Sequence, residues 1–269
     1  MNSVIISAAY GYGVNQLHRF VHSSMRNTDA LLVLLVREPV DETLTELARQ
    51  NSRIKLDAVF AKIYKSPGAE QLTPALVRYL HAAEYLRSMK EEENTVLVCD
   101  SRDVFFQANP FHSMELSHDS LYVAEEPESI ANCPVNRSWV RDLYPESYET
   151  LASLKIICSG TTMGRQKTVL EYLQKMEDEI LGFVKRDKNI PHGGDQGIHN
   201  YLIHTHKLPK AKIVENETSL FITCHHQKSF AFDRRGRILN KNGEICPIVH
   251  QYDRVAILFS GAFFNACFN

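Results

Sequence analysis

The segment TVLVCDSRDVFFQANPF, residues 95–111, constrains the fold more than any other part of the chain. Four apolar residues, Val96 to Cys99, follow one another without polar interruption, as expected of a strand that is buried on both faces. Asp100 and Asp103 come directly after this run. In open α/β sheets, ligands bind beyond the carboxyl ends of the strands. The segment therefore predicts an interior strand whose end presents two carboxylates to a ligand.

A D-x-x-D sequence on its own also has a simpler explanation. Such carboxylates often cap a helix or lie in a solvent-exposed turn. Hard divalent cations, however, need oxygen ligands, and Mg²⁺ or Mn²⁺ usually binds one or two carboxylates together with substrate phosphates. The remaining motifs of the chain favour this second interpretation.

Strands and helices alternate along the first half of the chain. Short apolar runs at residues 4–9, 31–36 and 54–60 predict strands, and the segments between them have the apolar spacing of helices. Thr73 and Pro74 are a start signal for a helix that runs to about residue 89. This alternation predicts a parallel, doubly wound sheet. Arg78 lies off the apolar stripe of the helix. It is predicted to be either a surface charge or a contact to a phosphate group.

The second half is less regular. The alternation of strand and helix patterns breaks down over residues 125–148. We interpret this segment as a mobile or substrate-facing insertion, and it contains the only tryptophan, Trp139. We interpret the Glu125–Glu126 pair at its start as part of a solvent-exposed turn. The alternative is that the pair contacts an acceptor substrate. A strand at 154–158 then runs into a predicted small-residue turn at 159–164. The segment PHGGDQG opens a helix, in which Asp195 is either the N-cap or a site residue.

Composition excludes several classes of function. A net charge of −2 gives no indication of a nucleic-acid-binding surface. The six cysteines form no C-x-x-C motif, which favours a reducing compartment. The apolar tail at residues 255–269 is interrupted by polar residues and is too short for a membrane span, so we expect no span and a cytoplasmic protein.

The order of these segments resembles that of the GT-A fold nucleotide-sugar glycosyltransferases, in particular the glycogenin and lipopolysaccharide-galactosyltransferase type. The shared features are a ligand-facing turn after the first strand, a Thr-Pro helix with an arginine, an acidic strand end, a small-residue turn, a G-D-Q helix start and a late histidine. The resemblance covers roughly residues 1–254. It implies one domain with a mostly parallel central sheet, helices on both faces and a C-terminal β segment.

The resemblance divides this domain into a nucleotide-binding half, residues 1–125, an acceptor and sugar half, residues 126–254, and the apolar tail. It also implies a metal site. Asp103 and Asp100 stand where the family's D-x-D carboxylates hold Mn²⁺, or Mg²⁺, against the donor diphosphate. The spacing here is D-x-x-D, which makes Asp103 the firmer ligand and leaves Asp100 a role at the ribose or in the loop. His250 matches the late histidine that completes the metal shell.

Further residues are implied to contact the nucleotide or the donor sugar. They are Ala8, Ala9, Tyr10, Arg78, Asp100, Ser101, Ser159, Gly160, Gln196 and Arg254. Arg254 replaces a lysine of the family, and the K-P-W signature around that lysine is absent. Asp195 is the candidate catalytic base if the enzyme inverts. If it retains, Asp195 would position the sugar or the acceptor, and the leaving phosphate would take the proton.

These features predict metal-dependent transfer of a sugar from a UDP- or GDP-sugar to a hydroxyl of a carbohydrate acceptor. A nucleotidyltransferase is the nearest alternative, but the first turn, AAYGYG, lacks the lysine or arginine of a basic phosphate loop. A non-catalytic nucleotide- or glycan-binding protein of the same fold is the other alternative.

Overall fold

The computed structural model describes residues 2–58, 72–90, 93–112, 117 and 119–259. The end of the strand predicted at 54–60 and residues 260–269 of the tail lie outside these ranges. The strands, in chain order, are β1 Ser3–Ala8, β2 Leu31–Leu35, β3 Ile54–Asp57, β4 Thr95–Cys99, β5 Val104–Phe106, β6 Leu121–Ser129, β7 Lys155–Arg165, β8 Ala211–Val214, β9 Phe221–Thr223, β10 Ala231–Phe232, β11 Ile238–Leu239 and β12 Ile248–His250.

The helices alternate with these strands. They are α1 Val14–Asn27, α2 Glu42–Gln50, α3 Pro74–Ser88, α4 Pro134–Leu143, α5 Tyr148–Leu151, α6 Gln166–Lys185, α7 Gly194–His204 and α8 Ala256–Phe259, with a short 3₁₀ helix at Tyr252–Arg254. No helix in the described ranges is long and apolar enough to cross a membrane.

A seven-stranded sheet forms the centre of the protein, in the order β3-β2-β1-β4-β7-β6-β8. Only β7 runs antiparallel to its neighbours, β4 and β6, and the other pairs in this sheet are parallel. The predicted α/β class with a mostly parallel sheet is therefore confirmed. The apolar run of β4 is buried along its whole length, as expected of an interior strand.

Helices cover both faces of the sheet. Successive side chains of a strand point to opposite faces, so Ile6 packs in one core with Leu80 of α3 and Leu173 of α6. Its neighbour Ile5 packs in a second core with Leu17 of α1. Each apolar strand thus contributes to two cores at once.

A smaller three-stranded sheet lies beyond the end of β4, in the order β5-β12-β9. β12 pairs antiparallel with β5, which places His250 opposite Val104, and it pairs parallel with β9. Buried side chains such as Phe105, Ile222 and Val249 form a separate core around it. Its strands β9 and β12 belong to the C-terminal β segment that the sequence predicts, and β5 joins them from the segment after β4.

Two local predictions are wrong. Residues 159–164 do not form a turn, because β7 continues to Arg165 between β4 and β6, where the sheet satisfies its backbone groups on both sides. Residues 125–148 are not an irregular insertion, since β6 extends to Ser129 and α4 follows. Pro134 at the first turn of α4 was the start signal in the sequence.

Candidate functional site

A cavity of about 570 Å³ opens at the carboxyl ends of β1 and β4. Ala8, the last residue of β1, and Asp100, directly after β4, both line it. Its wall also includes residues of β7, the start of α7 and the segment after β12. The volume is typical of a small-molecule site, and the position is where α/β sheets bind ligands.

Three predicted metal ligands meet in this cavity. Asp100, Asp103 and His250 each offer one ligand atom, and these atoms all lie within 4.8 Å of one another. The pairing of β5 with β12 explains how the distant histidine returns, because it sets His250 beside the residue that follows Asp103. The backbone N–H of Gln251 donates to the carbonyl oxygen of Asp103 at 2.8 Å and fixes this register.

Each carboxylate turns one oxygen to His250 and the other to an arginine. His250 Nε2 lies 3.4 Å from Oδ2 of Asp100 and 3.7 Å from Oδ1 of Asp103. Arg78 Nη1 contacts Oδ1 of Asp100. Arg254 Nη2 lies 4.0 Å from Oδ2 of Asp103. Arg78 therefore holds the orientation of Asp100, whereas Arg254 lies near Asp103 without a hydrogen bond to it.

His250 is buried and arranged as a ligand. Its Nε2 has no hydrogen-bond partner among the described residues, whereas Nδ1 lies 3.2 Å from the sulfur of Cys158. Cys158 also influences Glu126, because it acts to lower the pKa of that carboxyl group against the larger, raising effect of burial. Because Nδ1 faces Cys158, Nε2 is the ring nitrogen directed at Asp100 and Asp103.

The electrostatic surroundings of His250 favour a cation. Burial acts to lower its pKa, but the influence of Cys158 and Asp103 outweighs burial and raises the pKa of His250 to about 9. An acidic, buried environment that favours a proton also favours a metal ion. The buried Nε2 without a partner and the two facing carboxylates therefore fit a divalent cation.

Gly160 provides the space for this arrangement. A Cβ atom at this position would lie 2.4 Å from Cε1 of His250 and 2.7 Å from Oδ2 of Asp100. These distances are shorter than real Cβ contacts, so a side chain would displace two members of the group. The predicted importance of Gly160 thus has a steric reason in the described site.

Arg78 is not a surface charge. Its side chain is 15% exposed, and Nη2 donates to Oδ2 of Asp195 at 2.9 Å. Tyr79 OH also donates to this oxygen, at 3.2 Å. Burial raises the pKa of Tyr79 to about 12, so its hydroxyl keeps its proton. No sequence motif indicated Tyr79, which follows Arg78 on α3.

Asp195 is a wall residue of the cavity and not the N-cap of α7. Gly193, in the left-handed conformation with φ of 79°, takes the N-cap position. Asp195 is buried, and its two described donors, Arg78 and Tyr79, both use Oδ2. Oδ1 is consequently the oxygen that can accept a hydrogen bond from a substrate.

Only two of the three residues predicted to line the nucleotide pocket at the turn after β1 do line the cavity. Ala8 and Tyr10 line the cavity, and the Ser101 hydroxyl donates to the carbonyl oxygen of Ala8 at 2.7 Å. Ala9 does not line the cavity, because it is 1% exposed and packs in the core beneath α1. The prediction for Ala9 is wrong, and alternation along the chain is the reason: its neighbours face the cavity and Ala9 faces inward.

A hydrogen-bonded chain supports Tyr10. Its hydroxyl lies 2.9 Å from Nδ1 of His81, whose Nε2 lies 2.9 Å from Oδ2 of Asp57. Burial lowers the pKa of His81 despite Asp57, so the imidazole is neutral and can donate to Asp57 while accepting from Tyr10.

Ser159 and Gln196, the residues predicted to contact the donor, both line the cavity. The backbone N–H of Ser159 donates to Oε1 of Gln196 at 2.8 Å, and Nε2 of Gln196 donates to the carbonyl oxygen of Ile157 at 2.9 Å. Gln196 therefore connects α7 to β7 and has its amide engaged by the backbone.

Glu126 is a wall residue of the cavity and does not lie in a solvent-exposed turn. The Glu125–Glu126 pair reads as a solvated turn, yet Glu126 is 3% exposed and lines the cavity. Burial raises the pKa of its carboxyl group. The available signal was the continuation of the strand, because residue 126 falls on the same face of β6 as the buried Ala124.

No protein-family model matches the chain, and a search of curated proteins finds no match either.

Proposed function

We propose that the protein is a metal-dependent glycosyltransferase of GT-A type, which moves a sugar from a UDP- or GDP-sugar to a hydroxyl of a carbohydrate. One observation carries the proposal: Asp100, Asp103 and His250 converge within 4.8 Å in a cavity at the carboxyl end of the sheet. Mn²⁺ or Mg²⁺ is the expected ion, because carboxylate oxygens predominate in the donor set.

The chemistry explains why such a group of residues is useful. Breaking a glycosyl–phosphate bond leaves negative charge on the diphosphate. A divalent cation held by the three residues would stabilise that charge, a contribution of several kcal/mol. Arg254 would donate to the same diphosphate, since its side chain is 45% exposed and lines the cavity. Arg78 instead holds Asp100 and Asp195 in position.

Asp195 acts on the sugar side in this proposal. Its Oδ2 is fixed by Arg78 and Tyr79, so Oδ1 can accept a hydrogen bond from a hydroxyl of the donor or the acceptor. A carboxylate with two such donors is held in a fixed orientation, which suits positioning. Tyr10, supported by His81, forms an aromatic wall for the nucleotide base.

The test is nucleotide binding with and without the metal. We expect calorimetry to detect binding of UDP or GDP in the presence of Mn²⁺ and its loss in EDTA. Asp103→Asn should weaken metal-dependent binding by more than tenfold, because it removes a charged ligand and leaves the size of the side chain unchanged. Release of nucleoside diphosphate from the corresponding nucleotide-sugar would then measure turnover.

Asp142→Asn is the matched control, because this carboxylate is exposed on α4 and its side chain is 50% accessible. It should bind nucleotide and metal like the unmodified protein. Wild-type binding that is indifferent to EDTA, or an Asp103→Asn variant that binds as tightly as the control, would contradict the proposal.

A further inference from the structure

The cavity wall is divided by charge. Carboxylates and arginines lie at the strand ends and after β12, around Asp100 and Arg254. The side formed by α4 and the segment before α7 contains no carboxylate, lysine or arginine among the wall residues, which are Cys133, Val135, Asn136, Trp139, His192 and Gly193. A phosphate requires cations, so this second side suits an uncharged ligand.

Trp139 gives the uncharged side a rigid aromatic surface. Its six-membered ring packs on Gly193, where a Cβ atom would lie 2.3 Å from Cζ2 of the indole. Val135, one helical turn earlier on α4, is 51% exposed and also lines the cavity. An indole face beside an exposed aliphatic residue suits the apolar C–H face of a sugar ring.

Glu126 supplies the polar partner. Ala124 pairs with Cys158 across the β6–β7 ladder, and Glu126 lies two residues further on the same face. None of the ion pairs among the described residues includes Glu126, and Cys158, the side chain on the neighbouring strand β7 that influences its carboxyl group, has a thiol, which is a weak donor. A buried carboxyl group needs better donors, and the hydroxyls of a sugar can provide them.

We propose that Trp139 and Glu126 form the acceptor subsite of this cavity. The indole stacks on the ring of a neutral sugar, and Glu126 accepts a hydrogen bond from a hydroxyl of the same sugar. The inference rests on the proposed function, because it assigns the acceptor side of the same site.

The single tryptophan allows a direct test. Trp139 is the only one in the chain, so tryptophan emission, excited at a wavelength that the eleven tyrosines do not absorb, reports on this subsite alone. The probes are the methyl glycosides of glucose, galactose and mannose, with lactose and maltose, titrated in the presence of Mg²⁺ and UDP or GDP. We expect a saturable change in emission with at least one of them.

Glu126→Gln should weaken binding of that glycoside about tenfold, since it removes a charged acceptor. Glu125→Gln is the matched control, because the adjacent side chain is half-buried on the opposite face of β6 and does not line the cavity. Calorimetry on Trp139→Phe and Trp139→Leu gives an independent measurement, and affinity should fall further with leucine because it removes the ring.

Calorimetric binding of the nucleotide separates the two possible failures. Absence of metal-dependent nucleotide binding in the unmodified protein would refute the proposed function. If that binding is present, the subsite is refuted by glycosides that never change the emission, or by equal affinities of the two glutamine variants. Loss of nucleotide binding in a folded Glu126→Gln variant would also refute it, because Glu126 would then act on His250 through Cys158.

Discussion

Arg78 shows how the environment of one residue sets its role. On an isolated helix it would be a solvated cation, but here its guanidinium contacts carboxylates from two different parts of the chain, Asp100 and Asp195. Its planar fork can serve both at once, which a lysine ammonium cannot do with the same geometry. Burial acts to lower the pKa of Arg78, but Tyr79 and Asp195 outweigh it and raise the pKa, so the charge persists.

Removal of this charge should destabilise the protein. Arg78→Met keeps much of the length of the side chain but leaves two carboxylates without their cation. Breaking a buried ion pair in this way typically costs about 3–5 kcal/mol, and we expect a loss of this size in the free energy of unfolding measured with urea. Arg78→Lys should recover part of it.

An exposed arginine provides the comparison. Arg49 pairs with Glu46 on α2, and their side chains are 73% and 48% exposed. Arg49→Met should cost less than about 1 kcal/mol, because surface ion pairs contribute little. If the two methionine variants lose the same stability, Arg78 does not have the structural role assigned to it.

At the scale of secondary-structure elements, sequence patterns predicted the strands and helices whose formation depends on neighbouring residues. The apolar run of β4 and the Thr73-Pro74 start of α3 both appear where expected, because burial on two faces and the fixed φ of proline act within a few residues. The length of β7 could not be predicted in this way. Its small polar residues resemble a turn, and only the pairing with β4 and β6 makes them an interior strand.

The distinction between local and long-range interactions also explains which residues of the site could be predicted from the sequence. Asp100 and Asp103 were found because they directly follow a buried run. The burial of Glu126 and the role of Tyr79 were missed because their surroundings come from residues far away in the chain, Cys158 for one and Asp195 for the other. Sequence spacing identifies groups at strand ends, but it does not show which side chains a cavity gathers from several elements.

At the junction of α4 with α7, Gly193 packs against Trp139, and this contact can be tested by substitution. Gly193 and Gly243 both have positive φ, 79° and 78°. A Cβ atom at Gly193 would collide with Trp139, whereas one at Gly243 would meet no atom within 4 Å. Gly243→Ala should therefore cost only the backbone strain, about 1 kcal/mol, and Gly193→Ala should cost clearly more.

Urea unfolding followed by circular dichroism measures both losses, and tryptophan emission gives a second readout. We expect the folded-state emission to shift in Gly193→Ala, because the indole must move, and to stay unchanged in Gly243→Ala. Equal losses of stability with unchanged emission in both variants would show that the contact between Trp139 and Gly193 contributes nothing.

At the scale of the whole molecule, one face of the central sheet encloses a buried titratable group. The core that contains α3, α6 and α7 also encloses polar groups, among them His199 of α7, which is fully buried. The hydroxyl of Tyr172 on α6 lies 2.9 Å from Nδ1 of His199. Burial, with smaller contributions from His204 and Arg78, lowers the pKa of His199 to about 3.

This buried imidazole should make the fold sensitive to acid. The pKa of histidine in the unfolded chain is about 6.5, so between pH 6.5 and 3 the unfolded state binds a proton that the folded state does not. The stabilisation is therefore fully present above pH 6.5 and is lost as the pH falls below it. At pH 5 the loss should be about 2 kcal/mol, from about 1.5 pH units at about 1.36 kcal/mol each.

His199→Gln should remove this part of the pH dependence, because an amide does not titrate. In urea unfolding with EDTA, lowering the pH from 7.5 to 5 should cost wild type about 2 kcal/mol more than His199→Gln. Tyr172→Phe removes the hydroxyl near Nδ1 but keeps the imidazole, so it should retain the wild-type pH dependence. Stability curves of wild type and His199→Gln that fall in parallel between these pH values would mean that His199 is protonated in the folded protein.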